Sequence, residues 1–527
     1  MTTSGTLLKR LERLNQIGVA LSGERDTSRL LELILIAAKE LAGADAGTLY
    51  LVEDGRLKFE ILRTDSLGIA LGGSAAQKPA FPPIPLCRPD GAPNEEMVVA
   101  CAVIHDRTIN IEDAYDSGSY DFTGTRLFDS KTGYRSKSFL TVPMKNHENE
   151  IIGVLQLINA QDRSGNIIQF SHASQRLVES LASQAAIALT NQQLVKQLER
   201  LFESLIKLVN TAIDDKSPYT GGHCERVPVL TMMLAEAVHR VDYGPFQQFH
   251  MTAADRYELK IAGLLHDCGK ITTPVHVVDK ATKLQTLFDR IELVDTRFEV
   301  VKRDLEIAWL KQHIDRSAYE QKLLLLDDDR AFLRRINQGG EFMSGADIER
   351  VERVAGYQWC HPDGSLGPLL SREEVANLSV ARGTLNAEER AIINHHIEVT
   401  IQMLEALPWP KHLVHVPEYA GGHHERMDGK GYPRHLTREQ MSIQARIMAI
   451  ADIFEALTAR DRPYKPGKTL TEALTILGRM KLDNHVDPDL FDVFVREKVY
   501  LQYAERYLEP EQIDNVDLGT IPGYLPI

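Results

Sequence analysis

Residues 423–433 read His423-His424-Glu425-Arg426-Met427-Asp428-Gly429-Lys430-Gly431-Tyr432-Pro433. Two adjacent imidazoles, two carboxylates and cations are packed into a segment that closes on turn-forming Gly and Pro, which reads as a loop. Neighbouring side chains leave a backbone in different directions, so such a loop can give one imidazole to each of two metal ions. The alternative for an isolated His-His pair is a solvated polar turn, and the rest of the chain has to decide between them.

Working outward, all but three of the 18 histidines lie between His223 and His485. They cluster with acids in Thr220-Gly221-Gly222-His223-Cys224-Glu225-Arg226, in Leu264-Leu265-His266-Asp267-Cys268-Gly269-Lys270 and in Asn394-His395-His396. A further acid, Asp452, sits in the strongly apolar run ARIMAIADIFEAL. Apolar helical flanks place His266, Asp267 and Asp452 in buried settings, where an ionised carboxylate is costly unless paired or bound to metal. Five His and two Asp from five segments are the donors of a dinuclear centre, in which one carboxylate bridges ions about 3.5–4 Å apart. A lone His or Asp on such helices would be an ordinary hydrogen-bonded core residue; five clusters together are not.

These motifs resemble the HD-GYP family of cyclic di-GMP phosphodiesterases within the HD superfamily, with His266-Asp267-Cys268-Gly269-Lys270 as the HD motif and Gly431-Tyr432-Pro433 as the GYP motif. The resemblance implies that His223, His266, Asp267 and Asp452 hold one metal, that Asp267 bridges, and that His396, His423 and His424 hold the other. His396 is chosen over His395 by register with the family's His-Pro-Glu segment, with His395 as the fallback. Where some members carry a Glu that binds a third metal, this chain has Tyr219, so two ions are expected: iron or manganese, with zinc open. The resemblance further implies a water nucleophile, Asp267 and Lys270 as catalytic groups, and Lys270, Arg426, Arg462 and Lys465 at the substrate. Glu455 stands where many members have Asp. The implied reaction is hydrolysis of cyclic di-GMP to linear pGpG, with further cleavage to GMP left open. Another HD-type nucleotide phosphohydrolase and a catalytically silent cyclic-dinucleotide receptor are the alternatives.

Between the HD motif and His396, residues 282–384 read as an insertion: charged amphipathic helices to about Val354, then a small hairpin in GYQWCHPDGSLGPLLS. His361 has no accompanying ligand cluster and reads as a loop residue. In the first 190 residues, an amphipathic helix precedes GTLYLVEDGRLKFEIL, where Asp54-Gly55 between β-prone runs signals a hairpin. A Gly- and Pro-rich stretch from Ser66 to Asn94 reads as a long loop. The runs SFLTVPMKN and EIIGVLQLINA give two more strands around His147–Glu150, and a helix begins near Ser171. Asn110–Tyr115, Phe128–Ser138 and Gln156–Asn159 resemble the GAF domains of cyclic-nucleotide phosphodiesterases, which implies a six-stranded sheet, helices on its back and a small-molecule pocket on its front. Asn159-Ala160 and Ser174-Gln175 depart from the nucleotide-binding members.

From Arg176 to Ile213 there is neither Pro nor Gly, and Ile187, Leu194, Leu198, Leu201, Leu205 and Leu208 form a heptad seam with Asn191 inside it. This predicts a homodimer through the GAF domain and a coiled-coil helix that transmits a signal. The expected fold class is multidomain: an α+β GAF domain joined by a long helix to an all-α HD-GYP domain with a mostly helical insertion. The expected boundaries are an N-terminal helix at 1–24, the GAF sensor at 25–190, the linker helix at 191–213, the phosphodiesterase domain at 205–510 and a C-terminal tail at 511–527.

Composition agrees with this reading. A chain of 527 residues exceeds a single ordinary core, and 43% hydrophobic with 25% charged residues is a globular balance. Five scattered Cys predict no disulfide framework, and with no membrane-length apolar run or signal-peptide pattern the expected compartment is the cytoplasm. A net charge of -14 argues against a nucleic-acid polymer or an anionic membrane as partner. Signalling proteins docking on the GYP loop or the insertion are the remaining expected partners.

Overall fold

The computed structural model describes residues 3–75, 77–216, 222–340, 342–460 and 467–525, with residues 3–11 as backbone alone. It divides into two compact units, Met1–Phe202 and Glu203–Ile527.

In the first unit, the Asp54-Gly55 turn joins β1 (Ala44–Glu53) to β2 (Arg56–Thr64), both turn residues having the positive φ that such a hairpin needs, 48° and 71°. β3 (Ile69–Leu71), β4 (Ile84–Pro85), β5 (Ile109–Ile111), β6 (Phe139–Lys145), β7 (Ile151–Gln161) and β8 (Ile167–Ile168) complete an antiparallel sheet of order β3-β2-β1-β7-β6-β5. The six-stranded expectation is corrected to eight, because two-residue segments add at the side: β4 on β2 and β8 on β7. The stretch read as a long loop contributes β3 and β4. Strand alternation divides the side chains between two faces. Leu49, Ile61, Leu155 and Leu157 pack on the back against α1 (Thr3–Gly23), α2 (Thr27–Ala42) and the start of a long helix. Tyr50, Leu57 and Val154 face the front, beneath α3 (Val98–Ile104), with α4 (Thr123–Thr132) following in the chain.

The long helix, α5, runs from His172 to Lys216. Its seam residues Ile187, Leu194, Leu198, Leu201, Leu205 and Leu208 are all exposed, from 40% to 65%. No helix among the described residues is long and apolar enough to cross a membrane.

The second unit is almost entirely helical. Helices α6 (His223–Arg240), α7 (Ala253–Leu265) and the one-turn α8 (Val275–Val278) lead into the insertion, which comprises α9 (Ile291–Leu310), α10 (Arg316–Asn337), α11 (Gly345–Ala355), the hairpin of β9 (Gln358–Cys360) and β10 (Leu366–Pro368), and α12 (Arg372–Leu378). The predicted hairpin is present, and His361 packs against Trp359 within it at 4.5 Å. The insertion has its own core around Val294, Phe298, Leu333, Val351 and Leu369. It is fastened by buried Lys280, which donates to Glu389 and Asn377, and by Lys283, which donates to the carbonyls of Leu378 and Val380. Helices α13 (Ala387–Glu405), α14 (Val416–Gly421), α15 (Ile443–Thr458), α16 (Leu470–Leu482), α17 (Pro488–Arg496) and α18 (Val499–Tyr507) complete the unit.

Candidate metal centre

Each donor sits where a helix begins, ends or is buried. His223 opens α6, His266 caps the C-terminus of α7 with Asp267 next, His396 lies on the buried face of α13, His423 and His424 follow α14, and Asp452 is midway along α15. The structure brings all seven predicted ligands together. Asp267 Oδ2 lies 3.2 Å from His223 Nε2 and 3.3 Å from His266 Nε2, while its Oδ1 lies 3.2 Å from His396 Nε2. Asp452 Oδ1 is 3.3 Å from His223 Nε2 and 3.8 Å from His266 Nε2. The donors form two groups, His223 with His266 and His396 with His423 and His424, and Asp267 belongs to both. His395 points away, more than half exposed and paired with Glu398, so the register favouring His396 agrees with the burial.

The tautomers follow from the far side of each ring. Nδ1 of His266 donates to the Gly263 carbonyl at 2.7 Å, that of His423 to Ala420 at 2.6 Å, and that of His396 to Ile393. His223 Nδ1 donates to Glu455. With Nδ1 spent on the far side, these four rings turn Nε2 inward, a metal ligand's orientation. His223 and His266 Nε2 lie 3.3 Å apart, and His396 and His424 Nε2 3.2 Å apart, so each pair meets nitrogen to nitrogen. Buried His423 Nε2 and Asp267 Oδ1 have no hydrogen-bond partner. Buried acceptors facing one another without donors are costly, and a divalent cation in each group would satisfy them. The residues thus fit a dinuclear site.

Charge points the same way. Burial lowers the His423 ring to about 4, with His266 adding to it, and burial with His423 holds His424 well below the usual range. For His223, burial opposes protonation, but Glu455, Asp267 and Asp452 outweigh it and raise the ring, marking a deficit of positive charge. Burial would raise Asp267, yet Lys270, His266 and His223 hold it well below the carboxylate range. Lys270 donates to Asp267 Oδ2 at 2.5 Å from a helical turn three residues on.

Two glycines make the geometry possible. A Cβ on Gly269 would stand 2.0 Å from the His396 carbonyl oxygen, and the Gly269 N–H donates to Thr400 Oγ1 at 2.9 Å, so the turn after Asp267 lies directly on α13. A Cβ on Gly431 would stand 2.4 Å from backbone atoms of Glu425 and Arg426, where the GYP segment folds back on the loop. Buried Glu425 accepts from the backbone N–H groups of Arg434 and Leu436, pinning that return. The Tyr432 ring stacks on His424 at 5.0 Å and 19°.

Sequence reasoning missed the supporting role of Glu455. It is buried, accepts from His223 on one oxygen and from Arg226 Nε at 2.7 Å on the other, and so fixes the His223 ring. Arg226, one turn along α6 from His223, carried a helical-spacing signal; nothing local links either residue to Glu455. Arg426, expected at the substrate, donates to both oxygens of Asp428 and to the Asp483 carbonyl, which holds Asp428 at about 2. Arg462, Lys465 and Tyr219 lie outside the described residues.

Comparison with known proteins places this geometry in a family context. Residues 26–189 match the GAF domain model, and residues 220–330 and 365–490 match two HD domain models that leave only residues 331–364 of the insertion unmatched. The chain thus carries a GAF domain followed by an HD domain. It is 37% identical over 134 residues to a 3′3′-cGAMP-specific phosphodiesterase 1 of Vibrio cholerae, covering 25% of this chain and 29% of that one. It is 24% identical over 342 residues to phosphodiesterase 3 of the same specificity and organism, covering 65% and 47%. A cyclic di-GMP phosphodiesterase response regulator of Xanthomonas campestris is 30% identical over 214 residues, covering 35% and 53%. The chain spans about half the length, or less, of each of these relatives.

Proposed function

We propose that the C-terminal unit is a metal-dependent phosphodiesterase acting on a 3′,3′-cyclic dinucleotide, with cyclic di-GMP as substrate and linear pGpG as first product. The observation that carries this reading is Asp267 set between two groups of inward-facing imidazoles. His223, His266, Asp267 and Asp452 would hold one divalent ion, and His396, His423 and His424 with Asp267 the other; iron or manganese suits these donors, and zinc is compatible. The bound pair would supply an activated water and neutralise phosphoryl charge. Lys270, partly exposed beside Asp267, can turn to a non-bridging phosphate oxygen or give its proton to the departing ribose 3′ oxygen. Glu455 and Arg226 keep the His223 ring aimed inward throughout.

We further infer regulation by the GAF domain and pairing of two copies along α5 in the cytoplasm. The exposed seam supports pairing, since six large apolar side chains on one helix face are a coiled-coil surface. Sedimentation at micromolar concentration is expected to give a dimer, and Leu198→Asp with Leu205→Asp a monomer.

The activity test is chromatography of cyclic di-GMP, 3′3′-cGAMP and a panel of ordinary nucleotides after incubation with the metal-loaded full chain. Cleavage of cyclic di-GMP to the linear dinucleotide, lost in Lys270→Ala, is the expected result. Preference for 3′3′-cGAMP would reassign the substrate within the class, cleavage of ordinary nucleotides alone would replace the class, and binding without turnover would make the protein a receptor.

A further inference from the structure

The front of the N-terminal sheet encloses a cavity of about 260 Å³, lined by residues of the first unit alone. Its walls are aromatic: Tyr50 and Phe59 lie 4.7 Å apart, Phe59 and Phe81 5.1 Å, and Phe122 and Phe139 5.2 Å, with Phe128 beside them. Four polar side chains of the wall are already paired. Tyr50 donates to Gln156 Oε1 at 3.2 Å, and Gln156 Nε2 donates to Thr141. Tyr134 donates to Asp45 at 2.6 Å, and Ser136 to Asp129 at 2.8 Å. None of the buried side-chain oxygens or nitrogens left without a partner belongs to a described lining residue.

Charge excludes the obvious anionic ligand. Among the described lining residues only Arg63 and Asp121 are charged. Arg63 gives its two terminal nitrogens to Glu32 and to the carbonyls of Leu62, Leu71 and Gly72, so the one cation of the described wall is already engaged. Asp121 accepts from the Thr123 N–H and would repel an anion. A phosphate taken into such walls would lose its water and meet no free cation in exchange.

We propose that this cavity binds a neutral, flat aromatic molecule of about two fused rings, and not a cyclic nucleotide. An apolar cavity of roughly 150 Å³ admits benzene, so the larger space here matches a bicyclic ring, which aromatic walls hold by offset stacking and edge contacts. The ring enters past Phe81, the one wall aromatic with substantial exposure, at 41%. Thr48, Thr64 and Thr125 provide hydroxyls for a single orienting hydrogen bond to a ring N–H or carbonyl.

Isothermal titration of the full-length protein with indole as probe, and separately with cyclic GMP and cyclic AMP, tests this. One indole site per chain is expected, weakened about tenfold or more by the carboxylate of Phe128→Asp. Phe81→Ala, a change at a half-exposed position that spares the core, is expected to weaken it by about threefold to fivefold through lost ring contact and serves if Phe128→Asp does not fold. Absence of a saturable indole site up to millimolar concentration overturns the proposal. So does indole binding indifferent to both variants, or a cyclic nucleotide that binds and displaces indole.

Discussion

Asp329 in the insertion and Asp267 in the centre are both buried carboxylates in the C-terminal unit, and their surroundings differ in kind. Asp329 receives Arg350 Nε and Arg353 Nη2 on Oδ1, each at 2.9 Å, and Arg353 Nη1 and Tyr357 Oη on Oδ2, at 3.0 and 2.6 Å. Burial would raise its carboxyl, but these donors outweigh burial and lower it. Asp267 has a single cationic side chain of fixed charge beside it, Lys270, and otherwise meets the inward Nε2 atoms of His223, His266 and His396. A buried acid whose lone pairs are filled by the protein joins elements together; one left facing other acceptors is built for a cation.

The largest expected effect separates these two roles. His266→Ala with Asp267→Ala should remove hydrolysis by about a thousandfold or more while circular dichroism and the unfolding midpoint of the chelator-treated protein stay close to those of the parent. Asp329→Ala should do the reverse, costing about 1–3 kcal/mol in denaturant unfolding because Arg350, Arg353 and Tyr357 lose the acceptor that joins them, with turnover per folded molecule unchanged. If Asp329→Ala abolished turnover in folded protein, the division would fail.

Next comes the contact that presses the two halves of the centre together. Gly269→Ala forces a methyl against the His396 carbonyl, and an overpacked site of this kind costs about 1–3 kcal/mol. Because the strain falls between Asp267 and His396, bound metal per chain measured by mass spectrometry should also drop. Loss of stability with full metal content would place the strain elsewhere.

A smaller effect is expected at Glu455. Removing an outer partner of a metal-binding His typically costs about 10–100-fold in metal affinity. Glu455→Gln, read by competition with a chromogenic chelator, should fall in that range, while Glu455→Asp, which keeps the charge on a shorter arm, should recover part of it. Equal losses in both variants would mean that reach rather than charge orients His223.

The smallest effect concerns acid. Burial, reinforced by Arg426, lowers His485 to about 4, below the value near 6.5 of an unfolded chain. Its contribution to stability is therefore complete above about pH 6.5 and is lost as pH falls from there through about 4, because the unfolded state takes up the proton first. Thermal unfolding at steps from pH 7 to 4 should show a shallower decline in His485→Gln than in the parent; parallel curves would remove His485 from the account.

Much of this was legible in the chain. The Asp54-Gly55 hairpin, the unbroken helix from Arg176, the hairpin around Trp359 and the helical character of the insertion all follow from local turn chemistry and periodicity. The donor set was legible as well, because His and Asp amid apolar residues must be compensated and few chemistries compensate seven at once. The short strands β3, β4 and β8 were not, since two or three residues carry no period and form only because a neighbouring strand offers its edge.

The sequence by itself determined the two domain types, through the resemblance of their motifs, and the set of clustered His and Asp side chains and the apolar seam of α5, through composition and spacing along single segments. Tertiary structure alone decided that Glu455 reaches His223 across 232 positions of chain, and that Arg63, the one cation in the described wall of the sheet-front cavity, is already engaged. Those outcomes depend on which distant groups meet, and no local pattern carries the partner of a hydrogen bond that closes so long a loop.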